Sequence, residues 1–223
     1  MHHQVRRLFT SAVIVGAALL SQAHAATVID FDAPTLTGLY LGGDSFEQSG
    51  FRMTVDYDAG IVDMAASLGS AAPTGNATPF YSQLNEGGLI VERNDGGLFS
   101  LNGFDAAFVP LIPAAPGTTV IVAVGWNAGN LTPFYDFGTA WLFSRSFSSY
   151  NNPADFTAFS AVRLVEFFSC TFDGTSVCAS PIKNNGQFSI DNINVTAVPE
   201  PTTTVMLSLG LLGLALLAKR RAA

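Results

Sequence analysis

Along residues 26–197 apolar and polar positions alternate with a period of two in short runs, and no helical period persists beyond about ten residues. Eight runs read as strands: TVIDFD (27–32), GFRMTVDY (50–57), GGLIVER (87–93), GLFSLNGFDAAFV (97–109), TTVIVAVGW (118–126), FGTAWLFSRSF (137–147), FTAFSAVRLVEFF (156–168) and QFSIDNINV (187–195). Between them stand YDAG, APTGN, RNDGG, PAAPGT, WNAGN and YNNPAD, clusters of Gly, Pro, Asn and Asp that end strands rather than extend them. Strands so spaced predict an all-β fold, an antiparallel β-sandwich. The 17 phenylalanines of residues 26–197 suit the inner faces of two packed sheets.

Two of these strands break or place the pattern in an informative way. In the last, Phe188 and Ile190 share a face, but Ile193 and Val195 rejoin the period only after a slip of one residue at Asp191-Asn192, which predicts a β-bulge. In the first, Ile29 and Phe31 face one way and Asp30 and Asp32 the other. If the first and last strands are neighbours, Asp30, Asp32 and Asp191 converge and could hold calcium, a cation that takes hard oxygen ligands; strand-end charges or Asx turns are the plainer reading.

The chain ends are patterned differently from the middle. The N-terminus has Arg6 and Arg7, an apolar run from Leu8 to Leu20 and the small-residue site Ala23-His24-Ala25, which predicts a secretory signal over 1–25, cut by signal peptidase between Ala25 and Ala26. At the C-terminus the 14 residues Val205–Ala218 are apolar apart from Ser208 and have no polar face, so they suit a short transmembrane helix better than a core helix. Lys219, Arg220 and Arg221 follow, and basic flanks stay cytoplasmic, which puts the body outside the membrane. The domain plan is thus 1–25 signal, 26–197 β-sandwich and 198–223 tail.

Charge and composition then remove whole classes of chemistry. Residues 26–197 hold five basic side chains (Arg52, Arg93, Arg145, Arg163, Lys183) against sixteen acids, a net −11 that repels phosphate backbones and argues against nucleic acid. His2, His3 and His24 all lie in the signal, so the mature body has no Ser-His-Asp or Cys-His arrangement and no histidine zinc site. Lys183 sits in a loop-like SPIKNNGQ, poorly placed for Schiff-base chemistry. Carboxylates remain, and Glu47, Glu92 and Glu166 are the candidates for a carboxylate-dependent glycoside hydrolase, although their spacing singles out no acid and no nucleophile. The expectation is therefore a non-enzyme, with no catalytic residues. Cys170 and Cys178 enclose seven residues in an exported chain and are expected to form a disulfide. Trp126, Trp141, Tyr135 and Tyr150 suit stacking on sugar rings or, more simply, core packing.

The tail also carries a resemblance. Pro199-Glu200-Pro201, the apolar run and the basic end together resemble the PEP-CTERM sorting signal of exported proteins in Gram-negative bacteria. The resemblance implies recognition and processing of the tail by an exosortase, a membrane protease of transpeptidase type, often in systems linked to exopolysaccharide and biofilm. Gln187, Phe188 and Asp191 match a Gln-Phe-x-x-Asp pattern that a subgroup of these proteins carries before the tail. The body, from VIDFD through SGFRM to FSIDNINV, is similar to galactose-binding-like jelly rolls and carbohydrate-binding modules, several of which hold a structural calcium. Together these resemblances imply an exported surface or matrix protein, held at the inner membrane with its body in the periplasm and then released or displayed. The alternative is a carbohydrate-binding module for extracellular polysaccharide.

Overall fold

The computed structural model describes residues 25–85, 87–109, 119–126, 134–142, 144–171 and 187–199, with a few positions of the apolar tail. Ala26–Ala197 forms one compact unit. Its described residues contain thirteen strands: β1 (Thr27–Ile29), β2 (Gly38–Leu41), β3 (Ser45–Gln48), β4 (Phe51–Asp56), β5 (Ala59–Asp63), β6 (Phe80–Leu84), β7 (Gly88–Arg93), β8 (Phe99–Val109), β9 (Thr119–Trp126), β10 (Phe134–Trp141), β11 (Ser148–Tyr150), β12 (Leu164–Thr171) and β13 (Gln187–Ala197).

They form two sheets in which every pairing between these strands is antiparallel. The first runs β11-β8-β13-β6-β5-β2, with β1 also on β13; the second runs β10-β9-β12-β7-β4-β3. The all-β antiparallel sandwich expected from the alternation is the fold observed. Strand β13 is the axis of the first sheet. Ser189 and Ile190 pair with β6, residues 193–195 pair with β1, and the whole strand lies along β8.

The core follows from period-two alternation on the inner faces. Tyr81, Leu101, Phe104, Phe108, Phe188 and Ile190 of the first sheet are buried, as are Met53, Val55, Leu89, Val91, Val165 and Phe167 of the second. Each such side chain contributes roughly 1.5–3 kcal/mol of transfer free energy when fully buried. Phe104 and Phe167 meet edge-on across the sandwich, their ring centroids 5.3 Å apart. Tyr81 joins the sheets a second way, its hydroxyl donating to the Gly88 carbonyl at 3.0 Å. Its ring lies over Gly60, where a Cβ would stand 2.3 Å away, so only glycine fits there.

Differences from the alternation have local causes. The short strands β2, β3, β5, β6 and β11 escape the pattern. Phe80–Gln83 of β6 are all buried, so both faces of that strand are covered, and its residue types, two apolar and then two polar, do not alternate. The first part of FTAFSAVRLVEFF is a 3₁₀ helix, Pro153–Phe159, not a strand. Asn152 caps it by accepting from the Ala154 N–H, and Phe156 and Phe159, three apart, turn into the core. In the tail Leu207, Gly210, Leu211, Gly213 and Leu214 are helical. Among the described residues no helix is long and apolar enough to cross a membrane. The signal segment 1–24, Cys178, Lys183, Glu200, Pro201 and Lys219–Arg221 lie outside the described residues.

Candidate functional site

The bulge read from QFSIDNINV is present. Between β13 and β8 the register shifts after Asp191 and again at Asn194-Val195. Asn192 takes a left-handed backbone, φ 49°, a conformation that asparagine tolerates better than most residues. The bulge turns its amide along the sheet, where Nδ2 donates to Asp105 Oδ2 at 2.8 Å. Ser149 Oγ, from β11, donates to the other Asp105 oxygen.

The Gln187-Phe188-Asp191 pattern fastens this strand in three directions. Gln187 Nε2 donates to the Asn85 carbonyl at 3.0 Å, and Phe188 is fully buried against Tyr81. Asp191, 1% exposed, accepts from Asn76 Nδ2 and from the Asn192 N–H. Burial pushes the Asp191 carboxyl up to about 7, helped by the charges of Asp32 and Asp105; its two donors act in the opposite direction. Asp191 lies under a cover although it belongs to the outward face of its sheet. Segment 70–76 folds over that face, held by Arg145 to the carbonyls of Ser70 and Ala72 and by the Thr74–Ser146 bridge.

The three carboxylates grouped from the sequence do not gather as a set. β1 and β13 are neighbours, as the grouping requires. The strand ends at Ile29, however, and Phe31, buried at φ 55°, turns the chain, so the alternation of an extended strand does not reach Asp32. Asp30 accordingly accepts from Gln48 Nε2 of β3 and from the Asp32 N–H. Asp105, distant in the chain, stands opposite Asp191 across the β8–β13 pair, and its charge and that of Asp32 both act on Asp191. Among the described residues no group of three or more His, Cys, Asp or Glu is arranged to hold a metal ion. The geometry of Asp30, Asp32 and Asp191 therefore does not fit a calcium cage.

The hydrolase candidates all belong to the outward side of the second sheet. Glu47, Arg52, Glu92 and Leu164 stand in one cross-strand row, with Trp126 at its end. Glu92 is ion-paired to Arg52 at 2.6 Å, and Glu47 accepts from Asn94. One row on, Glu166 is pushed up to about 7 by burial and by Asp56, to which it hydrogen-bonds. Two carboxyls in direct contact are closer than the roughly 5–5.5 Å that a retaining glycosidase leaves for the sugar carbon. Trp126 is half-buried on this face, whereas Tyr150 packs on Phe104 at the core edge. Trp141 and Tyr135 fall in β10, where their side chains lie outside the described residues. Cys170 is buried at the end of β12 beside Val122 and Val124.

At the C-terminal side of β13, which ends at Ala197, Pro199 is exposed. Residues 197–221 match the PEP-CTERM protein-sorting motif, which implies exosortase-dependent sorting of an exported protein. No curated protein sequence matches the chain. Among solved structures it is similar to the xylan-binding domain CBM22-1 of Paenibacillus barcinonensis Xyn10C, with 9% identity, 81% of this chain and 99% of that one covered, and a TM-score of 0.37. It is also similar to the family 11 carbohydrate-binding module of Clostridium thermocellum in complex with a β-1,3-1,4-mixed-linked tetrasaccharide, with 13% identity, coverage of 80% and 99%, and a TM-score of 0.37.

Proposed function

We propose that this chain is a non-catalytic surface or extracellular-matrix protein, delivered through its tail. In this reading signal peptidase removes 1–25 during export, and the apolar run holds the body on the periplasmic side of the inner membrane. Exosortase then recognises Pro199-Glu200-Pro201 and processes the tail, releasing the body to the cell surface or the exopolysaccharide of a biofilm. A Cys170–Cys178 disulfide forms on the way. The observation that carries the reading is the sorting motif at 197–221, immediately after the last strand. Its chemistry is suited to a protease: Pro199 and Pro201 lack N–H donors and fix φ, which disfavours both a sheet ladder and a helix interior at these positions. Mass spectrometry of the released protein tests this. Chains beginning at Ala26 and ending near Pro201 are expected, and recovery only of chains ending at Ala223 would refute it.

A second reading is that the body binds a neutral extracellular polysaccharide. It is favoured by a linked ladder of amides and hydroxyls on the outward side of the first sheet. Ser100 donates to Asn102, whose Nδ2 donates to Thr196 Oγ1 at 2.9 Å and more weakly to Asn194. Uncharged groups of this kind on a body of net −11 suit hydroxyl-rich ligands rather than anionic ones. Affinity electrophoresis in gels containing neutral polysaccharides tests it: retarded migration supports the reading, and unchanged migration in every gel removes it.

A further inference from the structure

We propose that a groove on the outward side of the first sheet, where β1, β13, β8 and β11 meet, binds one uncharged sugar unit of such a polysaccharide. This site rests on the polysaccharide reading and gives it a place. The groove encloses about 230 Å³, and Val28, Asp105, Ser149, Asn151, Asn192 and Asn194 are among its lining residues. That is smaller than the roughly 300–1,000 Å³ of drug-sized pockets and suits a single sugar ring.

The groove originates in a missing side chain. Val28, Asn194 and Gly103 stand in one cross-strand row, and Gly103 leaves a gap between Asn194 and the end of β11. A Cβ at Gly103 would lie 2.6 Å from the Tyr150 carbonyl oxygen, so the close approach of β11 that brings Ser149 and Asn151 to the rim requires glycine. The bulge supplies the polar wall. Each Asp105 oxygen already accepts one bond, from Asn192 or from Ser149, which fixes the carboxylate plane and leaves a lone pair on each oxygen for ligand hydroxyls. The amides of Asn151 and Asn194 add donors and acceptors nearby. Val28, 43% exposed, offers apolar surface to the C–H face of a pyranose ring. Among the described residues no Lys or Arg lines the groove, which disfavours phosphate or sulfate, and Asp105 is the one acid that does, too few for a cation cage.

The test uses the full mature protein, labelled with ¹⁵N and ¹³C, titrated with xylotetraose and with a β-1,3-1,4-mixed-linked glucotetraose while side-chain amide and methyl resonances are followed. Shifts concentrated at Asn151, Asn192, Asn194 and Val28 are expected, and this readout needs no variant. Asp105→Ala and Asn192→Gly should then weaken binding at least tenfold, with the thermal midpoint of Asn192→Gly close to wild type because glycine keeps the left-handed backbone. Binding whose shifts fall elsewhere, or which both variants retain, overturns the groove and leaves the polysaccharide reading intact. Retardation by no neutral polysaccharide in the gel assay removes the reading and the groove together.

Discussion

The body and the tail carry their information in different forms. Pro199-Glu200-Pro201, the apolar run and the basic end form a linear order of parts, which on the proposed route a protease would read without any fold. The chemistry of the body exists only after register has been set. Asp105 and Asp191 are far apart in the chain and become opposed residues only because β8 pairs with β13. An address can therefore be read directly from residue order, whereas a binding surface must be built first.

The sharpest separation of the two comes from the tail. Replacing Pro199, Glu200 and Pro201 by alanine should abolish C-terminal processing, seen as retention of the full-length chain in the membrane fraction, while the body's thermal midpoint stays within about 1 °C. The converse is Phe188→Ala. Emptying this fully buried site should cost roughly 3–5 kcal/mol, measured by urea denaturation, and leave the linear motif untouched. A tail whose processing required a folded body would break the comparison, because Phe188→Ala would then stop processing as well.

A smaller effect comes from acid–base linkage. Asp191 and Glu166 are each raised to about 7 in the fold, well above the ordinary carboxylate range. A raised carboxyl holds its proton longer in the folded state, so the stability it contributes is complete below about pH 4 and is lost as pH rises through 7. The thermal midpoint should fall between pH 5 and pH 8, at about 2–4 °C for each kcal/mol lost in a domain of this size. Asp191→Asn and Glu166→Gln should each flatten that profile, and a profile equally steep in both variants would refute these assignments. The smallest effect is expected from metal removal. EDTA should shift the midpoint by less than about 1 °C, in keeping with the absence of a three-carboxylate cage among the described residues; a large downward shift would reopen the calcium expectation.

Fold class was legible because apolar and polar residue types alternate along β4, β12 and β13, even at Gln187–Asp191, where both faces of the strand are covered. β6 was not, since its residues come as two apolar, Phe80 and Tyr81, followed by two polar, Ser82 and Gln83, which breaks the period of two. The bulge was legible from a single slip at Asp191-Asn192, a local defect in a local pattern. The partners of that bulge were not. Reading Asp30 with Asp32 assumed an extended strand through Phe31, and one left-handed residue invalidates that assumption. Asp105 and Ser149 were out of reach for a different reason: their meeting depends on which strands are neighbours, and one-dimensional alternation carries no information about neighbours. Gly103 was hidden in the same way, since its value lies in the approach of β11.

The position of β13 bears on the order of events during export. The last of the described strands is an inner strand of its sheet, with β8 along one edge and β6 and β1 along the other. A chain that crosses a membrane N-terminus first delivers β1, β6 and β8 before the strand that joins them. Until residues 187–197 emerge, β8 and β6 have unpaired edges and the core lacks Phe188, Ile190, Ile193 and Val195. On the proposed route, a tail that held the chain at the membrane after that strand would also give the sandwich time to close before release.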